Sequence, residues 1–272
     1  GIPNEVIENA RSCAYEFFDQ PENIKNKVKV TAKHRGWLGH GGAKMKDDAK
    51  ADLKESFIWG IEGDSHQLPL DHDLRGDNIW PNEVPELPQK AMAYFQHAHQ
   101  VAHHLMRGFA LGLNLKEDFF LKTASRPLSR ASFVYYPAQP ADLGSSQFGV
   151  GPHTDFGVLT VLCQDSVGGL QVEDVNGDWL QAPPIKGTLI VNVADLLSRW
   201  TDGAYKSTPH RVINTSGRER YSCPFFYDPH VNAMITPMSG NTSRFEPINF
   251  GTFLRGELEA TYDAHKPAED TR

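Results

Sequence analysis

The chain has 272 residues and a formal net charge of −7, with no block of basic residues. Hydrophobic residues at 39% and aromatics at 10% supply enough apolar area for a large core, which excludes a disordered chain. An acidic chain without a basic patch is a poor partner for nucleic acid or an anionic membrane, and no apolar run reaches the length of a membrane span.

Ile7, Ala10, Ala14 and Phe17/Phe18 recur at helical spacing and predict a helix over residues 4–19, with Asn4 as its cap after Pro3. A polar stretch with Gly36, Gly39, Gly41 and Gly42 reads as loop, and His40 falls within it. A long helix is expected from Leu87 to Leu113 and a short one from Glu117 to Lys122. From about Arg130 the pattern changes to short runs rich in Val, Ile, Thr, Phe and Tyr, punctuated by Gly, Pro, Asn and Asp. Strands are expected over Ala131–Tyr136, Gly157–Cys163, Gly168–Val172, Trp179–Ala182, Thr188–Val193, Pro209–Asn214 and Arg220–Tyr227, which suits a sandwich or barrel. A last helix covers roughly residues 250–262. The fold class is therefore mainly β with flanking α-helices. A mostly helical region over residues 1–125 and a β core over 126–272 are expected to form one compact unit, because no Pro/Ser/Gly linker separates them.

Cys13, Cys163 and Cys223 are odd in number and irregular in spacing, so they make no disulfide framework. The opening Gly1-Ile2-Pro3 carries no charged and apolar leader, and a reducing, cytoplasmic location is expected. The sequons at Asn214 and Asn241 then read as chance matches. A monomer or loose dimer is the default expectation.

The chemistry concentrates in Gly151-Pro152-His153-Thr154-Asp155-Phe156-Gly157. In an extended chain, residues two apart share a face, so His153 and Asp155 present an imidazole and a carboxylate to one point. His210, in Thr208-Pro209-His210-Arg211-Val212, is the best third ligand. Two histidines and one carboxylate with open positions suit non-haem Fe(II) and oxygen activation. A lone H-x-D is weak, since an unrelated surface His and Asp explain most such tripeptides. The stretch after His210 strengthens it. A hairpin about Thr215 would bring His210 opposite Arg220, and Arg220 and Ser222 share a face. A guanidinium and a hydroxyl beside a metal can hold the far end of a chelating dicarboxylate. A surface strand arginine is the commoner explanation of Arg220 alone, but it fails to explain five residues at these offsets together.

With His153-Thr154-Asp155, His210 and Arg220-Tyr221-Ser222 as its H-x-D, distal H and R-x-S motifs, the sequence resembles the isopenicillin N synthase-like family of Fe(II)- and 2-oxoglutarate-dependent oxygenases. Gly1-Ile2-Pro3, Phe17-Phe18-Asp19-Gln20-Pro21, Arg35-Gly36-Trp37, Asp52-Leu53-Lys54-Glu55-Ser56-Phe57, Trp80-Pro81, Tyr135-Tyr136-Pro137 and Ile248-Asn249-Phe250-Gly251 extend the resemblance over nearly the whole chain. It implies a double-stranded β-helix (jelly roll) core with His153, Asp155 and His210 on Fe(II). It also implies Arg220 and Ser222 on the distal carboxylate of 2-oxoglutarate, with Tyr136 helping to hold that co-substrate. Many relatives have asparagine two residues before this tyrosine, where this chain has Val134. Relatives also carry some tens of residues before the G-I-P, including a first strand. The implied reaction consumes O2 and 2-oxoglutarate, releases succinate and CO2, and hydroxylates, desaturates or cyclises a small molecule. Phe225 and Leu170 are candidates for the apolar wall, and Phe156 fits a wall or the core equally. An Fe(II) oxidase of the same fold, in which the R-x-S pair serves the substrate instead, is the alternative. A binding protein with a vestigial metal site is the third reading, which the intact motifs disfavour.

Other histidines compete less well. His97, His99, His103 and His104 lie on the long helix without the H-E-x-x-H glutamate and are expected to be exposed helical residues. His230, in Tyr227-Asp228-Pro229-His230, is expected to be a loop residue. Gly39–Gly42 has neither phosphate-loop spacing, and no G-x-S-x-G supports a serine hydrolase. Lys44 and Lys46 are expected in a solvated run, bordering the mouth of the site.

Overall fold

The computed structural model describes residues 1–43, 52–62, 74–139, 147–262 and 265. Helix α1 (Asn4–Phe18) buries Ala10, Cys13, Ala14, Phe17 and Phe18, the stripe that i, i+3, i+4 spacing dictates. Asn4 is its first helical residue rather than its cap. The Pro3 carbonyl accepts from Ile7 N–H at 3.2 Å, so the helix already starts at the proline. A short α2 (Glu22–Lys25) follows. Helix α3 (Leu87–Gly112) runs under the sheet, and Ala91, Ala98, Ala102 and Ala110 on its buried side allow close approach. The short helix expected over Glu117–Lys122 is a 3-10 turn at Phe120–Thr123.

Two strands arise where the sequence reads as loop or carries no assignment: β1 (Gly36–Leu38) and β2 (Glu55–Gly60). Gly36 enters β1 at φ +110, and a Cβ there would overlap the Val28 carbonyl oxygen, so the glycine serves a strand rather than a loop. Then come β3 (Arg130–Tyr136), β4 (Val150–His153), β5 (Leu159–Gln164), β6 (Leu170–Glu173), β7 (Trp179–Gln181), β8 (Ile190–Val193), α4 (Asp195–Trp200), β9 (His210–Val212), β10 (Arg220–Tyr227), β11 (Met234–Ile235), β12 (Ile248–Asn249) and α5 (Phe250–Thr261). Asn249 caps α5 by accepting from Thr252 N–H at 3.0 Å.

A six-stranded sheet has the order β1-β2-β3-β10-β5-β8, and a four-stranded sheet the order β4-β9-β6-β7. Successive strands cross between the sheets: β3 lies in the first, β4 in the second, β5 in the first, β6 and β7 in the second, β8 in the first, β9 in the second and β10 in the first. Within these two sheets, the ladders between described strands are all antiparallel. This alternation is the double-stranded β-helix, and it leaves a cavity between the two inner faces. The main apolar cluster runs from Ile2 through α1, α3 and the outer face of the larger sheet to Leu258. Among the described residues, no helix is long and apolar enough to cross a membrane.

Candidate active site

His153 ends β4 and His210 begins β9, and the two are Cα partners with ring centroids 4.3 Å apart. The β4–β9 register shifts between Val150 and His153, where Gly151 and Pro152 break regular pairing. Asp155 lies just past β4, in a turn fixed by backbone bonds from Asp195 N–H to its carbonyl and from Leu196 N–H to the Gly157 carbonyl. One ligand atom from each of His153, Asp155 and His210 falls within 4.8 Å of the other two. No other group of three such side chains is found among the described residues.

Each of the three groups is oriented by a second partner. His153 Nδ1 is 2.8 Å from the Gly151 carbonyl and His210 Nδ1 is 3.2 Å from the Thr208 carbonyl. A carbonyl can only accept, so Nδ1 carries the proton in the His153 ring and its Nε2 lone pair is free to ligate; His210 Nδ1 also has Asn192 Nδ2 at 3.4 Å, and the nearer Thr208 carbonyl favours the same tautomer there. Asp155 Oδ2 accepts from Thr160 Oγ1 at 2.6 Å and from Asn192 Nδ2 at 3.0 Å. Its Oδ1 is left facing His153 Nε2 at 3.9 Å and His210 Nε2 at 3.7 Å. Burial, reinforced by His210, pushes the His153 pKa down to about 3, so that ring is neutral at physiological pH. Burial also raises the cost of the Asp155 charge, but His210, His153 and the Thr160 and Asn192 hydrogen bonds outweigh it and hold the carboxyl below its ordinary range. Two bare imidazole nitrogens and one bare carboxylate oxygen, each locked from behind, fit a divalent Fe(II) ion.

Arg220 lies on the opposite sheet and is fully buried. Its Nε donates to the Gly168 carbonyl at 2.6 Å, Nη1 to Ser222 Oγ at 3.3 Å and Nη2 to Gln164 Oε1 at 3.4 Å. The guanidinium carbon stands 4.6 Å from the centre of the Tyr136 ring. Gly168 and Gly169 adopt φ of +84 and +91, the left-handed region open to glycine, and this turn aims the Gly168 carbonyl at Arg220. Among the described residues, the groups that touch this buried cation are neutral. Both clusters line one cavity of about 140 Å³.

The hairpin expected about Thr215 does not form. His210 pairs with β4 and β6 in the smaller sheet, whereas Arg220 pairs with β3 and β5 in the larger, so the two face each other across the sandwich. Of the wall candidates, Leu170 and Phe156 line the cavity. Phe225 does not. The inward face of β10 is set by Arg220, Ser222, Pro224 and Phe226, which places Phe225 on the outer face against Phe95 and His99. His99 is accordingly half-buried, its ring against Phe225 and Tyr227, rather than an exposed helical residue. His230 stands in a loop, with its N–H on the Thr123 carbonyl, and His40 contacts Glu55. Lys44 and Lys46 lie outside the described residues. Thr160, Asn192 and Gln164, which hold Asp155 and Arg220, have no signature in the sequence. They emerge from the register, which makes Thr160 the partner of Asn192 and Gln164 the partner of Ser222.

A jelly roll with a His-Asp-His cluster facing a buried arginine defines a non-haem iron oxygenase. Residues 129–229 match the family model of the 2OG-Fe(II) oxygenase superfamily, and residues 1–83 match that of the non-haem dioxygenase in morphine synthesis N-terminal region. A 2-oxoglutarate-Fe(II) type oxidoreductase of Emericella nidulans is 33% identical over 96% of this chain and 79% of its own length. The validamycin A dioxygenase of Streptomyces hygroscopicus subsp. limoneus is 32% identical over 97% of this chain and 76% of its own. A full-length Neurospora crassa protein solved in complex with alpha-KG and thymine superposes with a TM-score of 0.83 at 28% identity, covering 95% of this chain and 84% of that one. The chain belongs to the 2OG-Fe(II) oxygenase superfamily. It is an Fe(II)- and 2-oxoglutarate-dependent dioxygenase acting with O2 on a small molecule, and these relatives do not favour the oxidase alternative.

Proposed function

We propose that His153, Asp155 and His210 hold Fe(II) on one face and that Arg220 and Ser222, with Tyr136 stacked on the guanidinium, seat the distal carboxylate of 2-oxoglutarate. The observation that carries this reading is the fully buried Arg220, whose partners among the described residues are neutral and which lines the same cavity as the three ligands. A buried guanidinium with no carboxylate beside it is costly unless an anion completes the site. When bound, Fe(II) would activate O2, which is the oxidant, with 2-oxoglutarate as the two-electron co-reductant that leaves as succinate and CO2. The protein orients the two imidazoles through Gly151 and Thr208, keeps Asp155 ionised through Thr160 and Asn192, and walls the reacting centre from water with Leu170, Phe156 and Phe226. Val134 lies opposite Ser222 and offers no side-chain hydrogen bond to the co-substrate, so Arg220, Ser222 and Tyr136 bear that task.

The test is anaerobic addition of 2-oxoglutarate to Fe(II)-loaded protein. A new visible charge-transfer band reports chelation of the keto acid at the iron; bound iron with no band overturns the co-substrate assignment.

Residues 1–125 and 126–272 form one compact unit in this reading, supported by the apolar cluster shared between them and by the β2–β3 ladder. The protein works as a monomer or weak dimer in the cytoplasm, without nucleic acid or membrane partners, in keeping with its acidic composition and three free cysteines. A single calorimetric transition and a monomer mass in solution are the expected results.

A further inference from the structure

Two buried carboxylates stand in the stretch Asp52-Leu53-Lys54-Glu55, and neither lines the cavity. Glu55 is fully used where it stands: Oε2 accepts from Lys25 Nζ at 2.8 Å and from Trp37 Nε1 at 2.7 Å, and Oε1 lies 3.1 Å from His40 Nε2. Asp52, just before β2 and only 2% exposed, reaches further. Its Oδ1 accepts from Gly151 N–H at 3.0 Å, in β4 of the other sheet and two residues before the ligand His153.

The β4–β9 register explains why that N–H is available. Val150 pairs with Val212 and His153 with His210, so Gly151 and Pro152 together stand opposite Arg211. Such a bulge disrupts the ladder locally. Pro152 has no N–H to donate, and the Gly151 N–H goes to Asp52. The Gly151 carbonyl in turn receives His153 Nδ1 at 2.8 Å. Glycine is the residue whose backbone sterics restrict least. Here Asp52 holds it from the N-terminal side, and Pro152 narrows it from the other, since the residue before proline is pushed toward extended conformations. Those two restraints set the direction of the carbonyl that orients the His153 ring.

Asp52 is itself anchored through both backbone groups, its N–H on the Ala43 carbonyl at 3.2 Å and its carbonyl accepting from Gly41 N–H at 3.4 Å. Beside it, Leu53 N–H donates to the Phe148 carbonyl at 3.0 Å, a second tie from this segment to the approach of β4. Lys54 Nζ, 3.4 Å from Asp52 Oδ2, offsets the buried charge. We propose that Asp52 is a positioning residue for the metal centre, aiming the His153 ring through Gly151, with Lys54 as its counter-ion. Asp52 lies outside the ligand group and acts only through the strand that carries it. The proposal rests on the iron reading above, and the experiment separates the two.

A buried ion pair can be replaced by apolar residues of similar volume with little loss of stability. Asp52→Leu with Lys54→Met therefore keeps the packing and removes the acceptor for Gly151 N–H. Asp52→Asn with Lys54→Met removes the same charges and keeps an acceptor. In Fe(II) titrations the Asn variant should stay within about threefold of the parent and the Leu variant should bind about tenfold more weakly, the low end for groups that orient a metal ligand. Proton NMR of the Co(II)-loaded proteins reads the rings themselves. The parent should show an exchangeable, hyperfine-shifted Nδ1–H resonance from each of His153 and His210. In the Leu variant one of them should shift or vanish through exchange with water while the other persists. A parent that binds neither Fe(II) nor Co(II) defeats the iron reading itself. With metal bound, equal affinity in the two variants, unaltered resonances in the Leu variant, or an Asn variant as weak as the Leu variant overturns the role of Asp52. Should the Leu variant fail to fold by circular dichroism, Asp52→Ala with Lys54→Met takes its place. If that too fails, Asp52 serves folding rather than His153 and the proposal falls.

Discussion

Asn192 and Thr160 are Cα partners on β8 and β5, and both side chains donate to the same oxygen of Asp155. One carboxylate oxygen is thereby saturated and the other is aimed between two imidazoles. The ligand geometry is built by a strand pair that contributes no ligand of its own.

This arrangement predicts graded losses. His153→Ala or Asp155→Ala removes a direct ligand and is expected to abolish iron-dependent turnover. Asn192→Ala and Thr160→Val leave the ligand in place but unlock it, and are expected to weaken Fe(II) binding about 10- to 100-fold. Fe(II) titration of the four variants checks the order. Substantial activity in His153→Ala would sink the metal assignment.

The buried guanidinium gives the second prediction. Arg220→Ala should raise the Kd for 2-oxoglutarate by at least about thirtyfold, near 2 kcal/mol, because a buried charge-assisted contact is lost. Iron binding should change little, since Arg220 stands on the opposite sheet from His153 and His210. Calorimetry with 2-oxoglutarate on the metal-loaded variant measures it, and an unchanged Kd would refute the role given to Arg220.

Stability against pH carries two opposing contributions. Burial pushes Asp228 up to about 6 in spite of Arg130, whereas burial pushes His153 down to about 3. Between pH 4 and 6 the folded protein holds a proton on Asp228 that the unfolded chain has released, so this group favours folding toward acid and loses that effect as pH rises through 6. His153 acts the other way: the unfolded chain takes up its proton below about 6.5, so stability falls on acidification. In metal-free protein the two largely cancel across this window. Asp228→Asn removes one of them. Its denaturation midpoint should therefore fall more steeply with acid between pH 6 and 4, by up to about 1.4 kcal/mol per pH unit. Parallel pH profiles for variant and parent would contradict this.

Legibility in the sequence followed the range of the interaction. His153 and Asp155 are adjacent in a local two-residue period, and the Arg220/Ser222 pair follows the same rule, so both could be read directly. The same rule extended along β10 through Pro224 selects Phe226 and rejects Phe225 as a wall residue. The sheet that each strand joins is a different matter. Nothing local distinguishes a β9–β10 hairpin from two strands that face each other across a sandwich. Strand β2 is buried at every position and shows no alternation, and β1 is masked by glycines. Helix α4 has six residues, too few for a helical period. Thr160, Asn192 and Gln164 acquire their roles only through pairing between distant strands.

The turn that carries Asp155 supplies the last prediction. A Cβ on Gly157 would overlap Asp228 Oδ1, the atom of the buried carboxylate that has no hydrogen-bond partner. Gly157 is also the acceptor for Leu196 N–H, so the turn cannot yield without loosening the start of α4. Gly157→Ala should therefore push on a buried carboxylate on one side and a helix terminus on the other. The expected cost is about 1–3 kcal/mol, the usual range for overpacking a filled site. Melting of the metal-free protein should drop by roughly 2–4 °C for each kcal/mol. Because Asp155 rides on the same turn, Fe(II) affinity should fall along with Tm. Pairing Gly157→Ala with Asp228→Ala, which frees the space, should recover part of the affinity; if the double variant binds iron no better than Gly157→Ala alone, contact with Asp228 is not what requires glycine at this position.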